Sequence, residues 1–125
     1  MKKSLIIAAI ITSVLVSANS ASFAKMTPEA HRYYQSACEY ENNHKYRQAL
    51  EELRKALSIS GEDALLYTKI GGLYAEIGEW DKAIEAYEQS EKLRPNDAFI
   101  HISLGNILQQ KQYYLKLNMV MNGMV

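Results

Sequence analysis

From Pro28 onward the apolar residues recur at steps of three and four with charged residues between them, as Asp81-Lys82-Ala83-Ile84-Glu85-Ala86-Tyr87 shows most plainly. That spacing puts the apolar side chains on one stripe of a helix and the charges on the other. The punctuation agrees: Thr27-Pro28-Glu29 reads as an N-cap followed by Pro at the first helical position, Asn96-Asp97 offers another start, and Gly61 and Gly78 suit helix ends. The expected helices span 28–43, 46–59, 63–77, 80–93, 97–110 and 113–122, six in all with no sheet.

The first two dozen residues follow another pattern. Met1-Lys2-Lys3-Ser4 is basic, Leu5 to Val16 is an uncharged apolar run, and Ser22-Phe23-Ala24 places small residues where a signal peptidase reads them. This is the three-part arrangement of a secretory leader. The run of 12 residues is short for a helix crossing a bilayer, which needs roughly 20. The chain therefore divides into a signal peptide, 1–24, and a mature domain, 25–125, expected in a periplasm or outside the cell with no stable membrane span. No cysteine sits near the cleavage position for a lipid anchor.

The mature part repeats itself. Tyr46, Trp80 and Tyr114 lie 34 residues apart, as do Ala30, Ala64 and Ala98, and the same interval pairs Ala49 with Ala83 and Gly71 with Gly105. Small residues at Ala37, Gly71 and Gly105 on the first helix of each unit, and at Ala49 and Ala83 on the second, let two antiparallel helices approach closely. Tyr40, Tyr74, Leu53 and Tyr87 fill the space between them. A period of 34 built of two helices resembles the tetratricopeptide repeat (TPR) family. The middle unit gives Tyr67, Ile70, Gly71, Tyr74, Ala83, Tyr87 and Pro95 in the family's order, and the first gives Tyr33, Ser36, Ala37, Tyr40, Ala49, Leu53 and Gly61. The third gives His101, Leu104, Gly105 and Leu108, then Leu117 where a small residue belongs, and Met121. The resemblance implies an all-α solenoid of antiparallel helix hairpins, about two and a half repeats at 30–63, 64–97 and a partial 98–125.

It also implies a concave wall made by the first helix of each pair, which in the family receives a peptide or protein partner. Carried onto this register, the wall holds Tyr34, Cys38, Glu41 and Asn42, then Leu65, Thr68 and Glu76, then Phe99, Ile102, Asn106 and Gln109. His31, Gly72, Ala75 and Gln110 complete the same wall. The family's carboxylate clamp is not supported, because Tyr34, Cys38, Phe99 and Ser103 stand where its Lys, Arg and Asn would be. The expected partner is an extended or helical peptide seated on Tyr34, Leu65, Phe99 and Ile102; the plainer alternative is that these apolar residues pack against the next hairpin.

Composition narrows the function classes. The chain has 14 basic and 14 acidic residues, and loss of Lys2 and Lys3 with the leader leaves 12 against 14, a net charge of −2. This balance provides no electrostatic basis for nucleic acid or an anionic membrane surface. There is no phosphate loop, nucleophile elbow, H-E-x-x-H or C-x-x-C, so neither an enzyme nor a cofactor is expected. His31, Cys38 and Glu41 form the one constellation with metal-ligand character, and ordinary wall residues account for them better. Cys38 is alone, hence a buried small apolar group, a free thiol or half of an intermolecular bridge. His44 falls in a turn.

After Lys116 the chain carries no charge and contains Gly123, which weakens a helix. Three readings follow: a truncated or frameshifted repeat gene, a tail that docks on another subunit, or a membrane-associating end. Marginal stability or self-association through 117–125 is the expectation. The function expected from the whole is an exported adaptor or assembly factor, or else the truncated or regulatory portion of a larger envelope or secretion-associated repeat protein.

Overall fold

The computed structural model describes residues 26–124. The expected leader at 1–24 lies outside the described residues. Five helices follow in order: α1 Pro28–Asn42, α2 Tyr46–Ser60, α3 Ala64–Ile77, α4 Trp80–Leu93 and α5 Ala98–Met121, with no strand among the described residues.

The local chemistry sets the helix ends. Thr27 accepts a hydrogen bond from the Ala30 amide at 3.2 Å, and Pro28 occupies the first turn, where its missing N–H costs nothing. Asp63 caps α3 through the Leu65 amide at 2.8 Å, and Asp97 caps α5 through the Phe99 amide at 3.0 Å. Gly78 ends α3 at φ +83°, in the left-handed region that suits glycine, and His44 takes φ +58° in the corresponding turn after α1.

Packing runs between sequence neighbours: α1 on α2, α3 on α4, with α2 and α3 joining the hairpins and α5 lying against α4. The small positions sit where the helices meet. Ala37, Ala49 and Ala83 are buried, and Gly71 lies under the Tyr87 ring. Leu53, Leu66 and Leu73 fill the space between, each fully buried and each contributing about 1.5–3 kcal/mol by its removal from water. Ile107 carries this core across to α5. Between hairpins, Arg54 donates to the Tyr74 hydroxyl and Arg47 pairs with Glu79 at 3.2 Å. The result is the expected all-α solenoid of helix hairpins.

One expectation is corrected. The helices expected at 97–110 and 113–122 are a single helix of 24 residues. Two substitutions in the repeat register account for this. Gln112 stands 34 residues after Gly78 and 68 after His44, the two left-handed turn residues, and a glutamine resists that conformation but continues a helix readily. Leu117 stands where Ala49 and Ala83 are fully buried, so a folded-back second helix would carry a bulky side chain into the closest part of the hairpin. Accordingly Gly105, expected at a close helix contact, is exposed and has nothing within 4 Å of a Cβ position. Tyr114 does not begin a helix as Tyr46 and Trp80 do; it stacks on Trp80 with centroids 5.5 Å apart.

Candidate partner-binding wall

The residues expected on the inner wall lie on α1, α3 and the first half of α5. Tyr34, Cys38 and Glu41 recur along one face of α1, and the structure brings them against Lys69 of α3, which pairs with Glu41. Burial raises the Tyr34 phenol above its ordinary value, and the adjoining Cys38 thiol adds to the rise. Burial pulls against the charge on Lys69, yet the hydrogen bond and charge of Glu41 outweigh it and the ammonium is held above its usual range. The wall there is a charged pair beside a half-buried phenol and thiol. Cys38 is half-buried, so it is not the fully enclosed apolar group that an isolated cysteine suggests.

Leu65 and Tyr34 both pack partly against the core, so they serve the fold as well as the wall. Thr68 turns inward. Its hydroxyl donates to the Ala64 carbonyl at 2.7 Å and lies 2.6 Å from Ser90 Oγ, which in turn donates to the same carbonyl at 2.8 Å. That buried arrangement clasps α3 to α4 and leaves Thr68 little freedom to meet a guest. Asn42 and Glu76 are exposed at the far ends of α1 and α3. On α5, Phe99 and Ile102 stand 63% and 62% exposed, with Asn106 and Gln109 exposed beyond them. These are large apolar groups that no element among the described residues covers.

Lys69 was not among the residues expected on the wall; its spacing from Thr68 carries no binding signal, and only the proximity of α1 to α3 reveals it. Clefts lie elsewhere on the surface. One of about 490 Å³ runs beside the Trp80–Tyr114 stack and is edged by Glu79, Lys111 and Asn118. Another of about 340 Å³ lies between α2 and α4 near Arg54, Tyr67 and Gln89. Neither contains a residue of the expected wall. Among the described residues no three His, Cys, Asp or Glu side chains converge as a metal site. His31, Cys38 and Glu41 do not form a donor set: His31 lies 3.1 Å from Gln35 and stacks on Tyr34, while Glu41 is taken by Lys69. No helix among the described residues is long and apolar enough to cross a membrane.

Comparison with known proteins is consistent with this architecture. Residues 71–112 match a family model described as TPR repeat, and residues 30–63 match one described as tetratricopeptide repeat. Among solved structures, a "Crystal structure of MamA" is similar with a TM-score of 0.64 and 30% identity, covering 67% of this chain and 49% of that one. A MamA RS-1 double mutant has a TM-score of 0.66 at 23% identity, covering 72% of this chain and 51% of that one. A MamA point mutant has a TM-score of 0.62 at 19% identity, covering 72% of this chain and 66% of that one. The last two carry the fold alone. This chain spans about half the length of the first of these structures. No curated protein sequence matches it.

Proposed function

Because the chain belongs to the tetratricopeptide repeat proteins, a family of protein-interaction scaffolds, we propose that it is an exported, non-enzymatic adaptor whose inner wall holds an extended or helical peptide segment of a partner protein. The observation that carries this reading is the exposure of Phe99 and Ile102 on α5, taken with the half-buried Tyr34 and Leu65 of the two earlier first helices. Large apolar side chains in water at the mouth of a concave surface are the usual anchor sites of a helix or strand guest. The Lys69–Glu41 pair supplies polar selectivity at the other end of the wall. Self-association through the apolar part of α5 is a second reading, favoured by the exposure of Tyr113, Val120 and Met121.

The export part of the proposal rests on the basic start, the apolar run and the small residues before Lys25. N-terminal sequencing of the chain recovered from outside the cytoplasm should give Lys25 as the first residue, and an intact Met1 would remove it. The wall is tested with Phe99→Asp, which charges an exposed anchor without touching the core. Recovery of the partner in an affinity capture should fall at least tenfold, while Glu88→Lys on exposed α4 surface leaves it unchanged. Equal recovery with Phe99→Asp and wild type, at equal helicity, overturns the wall as the docking site.

A further inference from the structure

The exposed face of α5 has an order that the repeat register does not require. Phe99, Ile102, Asn106, Gln109, Tyr113, Leu117 and Val120 follow one another at steps of three and four, all exposed, along the side of the helix turned away from α4. The opposite side carries the contacts that hold α5 in place: Ile100 and Ile107 are buried, Lys111 pairs with Asp81 at 2.5 Å, and Tyr114 stacks on Trp80. A stripe at steps of three and four is the seam by which one helix pairs with another.

From Asn106 to Val120 this stripe is symmetric about Tyr113. Going outward, Gln109 mirrors Leu117 and Asn106 mirrors Val120. When two such helices run antiparallel with their Tyr113 residues opposed, each of these five residues meets one of the five on the other copy, and Ile102 and Phe99 extend the seam at either end. That is the condition for a self-complementary two-fold contact, which closes at two subunits. The flanking charges fit the same alignment. Lys116 falls beside Gln110 of the other copy and Lys111 beside Leu115, so like charges are not opposed. The five apolar members of the stripe are between 39% and 63% exposed. They place on the order of 500 Å² of apolar surface in water on each copy, the larger part of the ~800 Å² per partner of a stable interface.

We propose that a second copy of this chain covers the stripe, the two α5 helices pairing antiparallel about Tyr113. The pairing deepens the self-association reading and ties it to the wall, because Phe99 and Ile102 belong to both surfaces. A guest peptide and a second copy therefore compete for the first half of α5, and dimerisation sets how much wall is free.

The test uses the full chain with Cys38→Ser, so that no native thiol interferes, and reads mass by analytical ultracentrifugation and covalent linkage after mild oxidation. A dimer at micromolar concentration is expected. Tyr113→Cys, on the axis, should link two copies nearly completely, as should Asn106→Cys combined with Val120→Cys. Ile102→Cys alone and Leu108→Cys, off the stripe, should give at most a tenth as much. Val120→Asp should return the chain to a monomer at unchanged helicity. A monomer at every concentration overturns the pairing, including one that floats with lipid vesicles through its apolar stripe. Linkage of Leu108→Cys as readily as Tyr113→Cys overturns it as unspecific, and efficient self-linkage of Ile102→Cys overturns the antiparallel direction. Partner capture by a wild-type monomer would sink only the pairing. Failure of partner capture by a monomeric Val120→Asp chain that keeps the native Cys38 would instead sink the wall.

Discussion

Gly71 lies directly beneath the Tyr87 ring: a Cβ built at Gly71 would come within 2.9 Å of Tyr87 Cδ2 and 3.0 Å of Cε2. The contact joins α3 to α4 and leaves no room for a side chain at Gly71. Burial also raises the Tyr87 phenol, against a hydrogen bond with Ser103 that lowers it, so the ring edge is enclosed while its hydroxyl reaches α5.

Gly71→Ala should therefore destabilise the protein by about 1–3 kcal/mol, the usual cost of forcing a packed ring to move, despite the alanine's better helix propensity. Gly105→Ala, at the equivalent place in a helix that has no second helix against it, should stabilise by about 0.5–1 kcal/mol. Urea melts of the two variants give the measurement. Destabilisation by both would mean that the third unit closes in solution as the second does.

Asp63 holds the start of the second hairpin through two amides, at 2.8 Å to Leu65 and 3.3 Å to Leu66. Asp63→Ala should cost about 0.5–2 kcal/mol, and Asp63→Asn, which keeps an acceptor, much less. If the two variants melted alike, the cap would have no part in stability.

Gly78 at φ +83° has open space around its Cβ position, so only backbone conformation opposes a side chain there. Gly78→Ala should lower stability by about 1 kcal/mol, and Gly78→Asn, which tolerates the left-handed region, by less. The order of thermal midpoints checks this: alanine below asparagine below wild type.

Glu79 accepts from Lys82 and from Arg47, and these interactions, the Lys82 hydrogen bond foremost, hold its carboxyl below the usual 4.5. A folded value below the unfolded one means that the stabilisation is present above pH 4.5 and disappears as pH falls through the lower folded value. Thermal midpoints of wild type and Glu79→Gln should differ at neutral pH and converge in acid. A gap that widens on acidification has the wrong sign and would exclude this linkage.

Much of the fold was legible because the sequence states the same unit twice. The caps Thr27 and Asp97, the stops Gly61 and Gly78, and the close contacts at Ala37, Ala49 and Ala83 are local choices, and each appears where the spacing puts it. The third unit misled because Ala98 and Gly105 keep the register while Gln112 and Leu117 abandon the turn and the small position it needs. A left-handed requirement is visible only when His44, Gly78 and Gln112 are compared as one series. The helices that carry the proposed wall, α1 and the first half of α5, were legible from their spacing. Thr68 was not, since its role depends on Ser90, a polar residue fully buried on the neighbouring helix, and neither was Lys69, whose pairing with Glu41 is a matter of tertiary approach.

Each helix rests chiefly on its immediate neighbours in the chain. No distant segment has to be waited for: α1 and α2 can close as soon as Ser60 has left the ribosome, and α3 and α4 can then grow on that template one hairpin at a time. Folding of this kind, governed by short loops, runs in microseconds to milliseconds, so the nascent chain exposes its core only briefly, with α5 the last part to find cover.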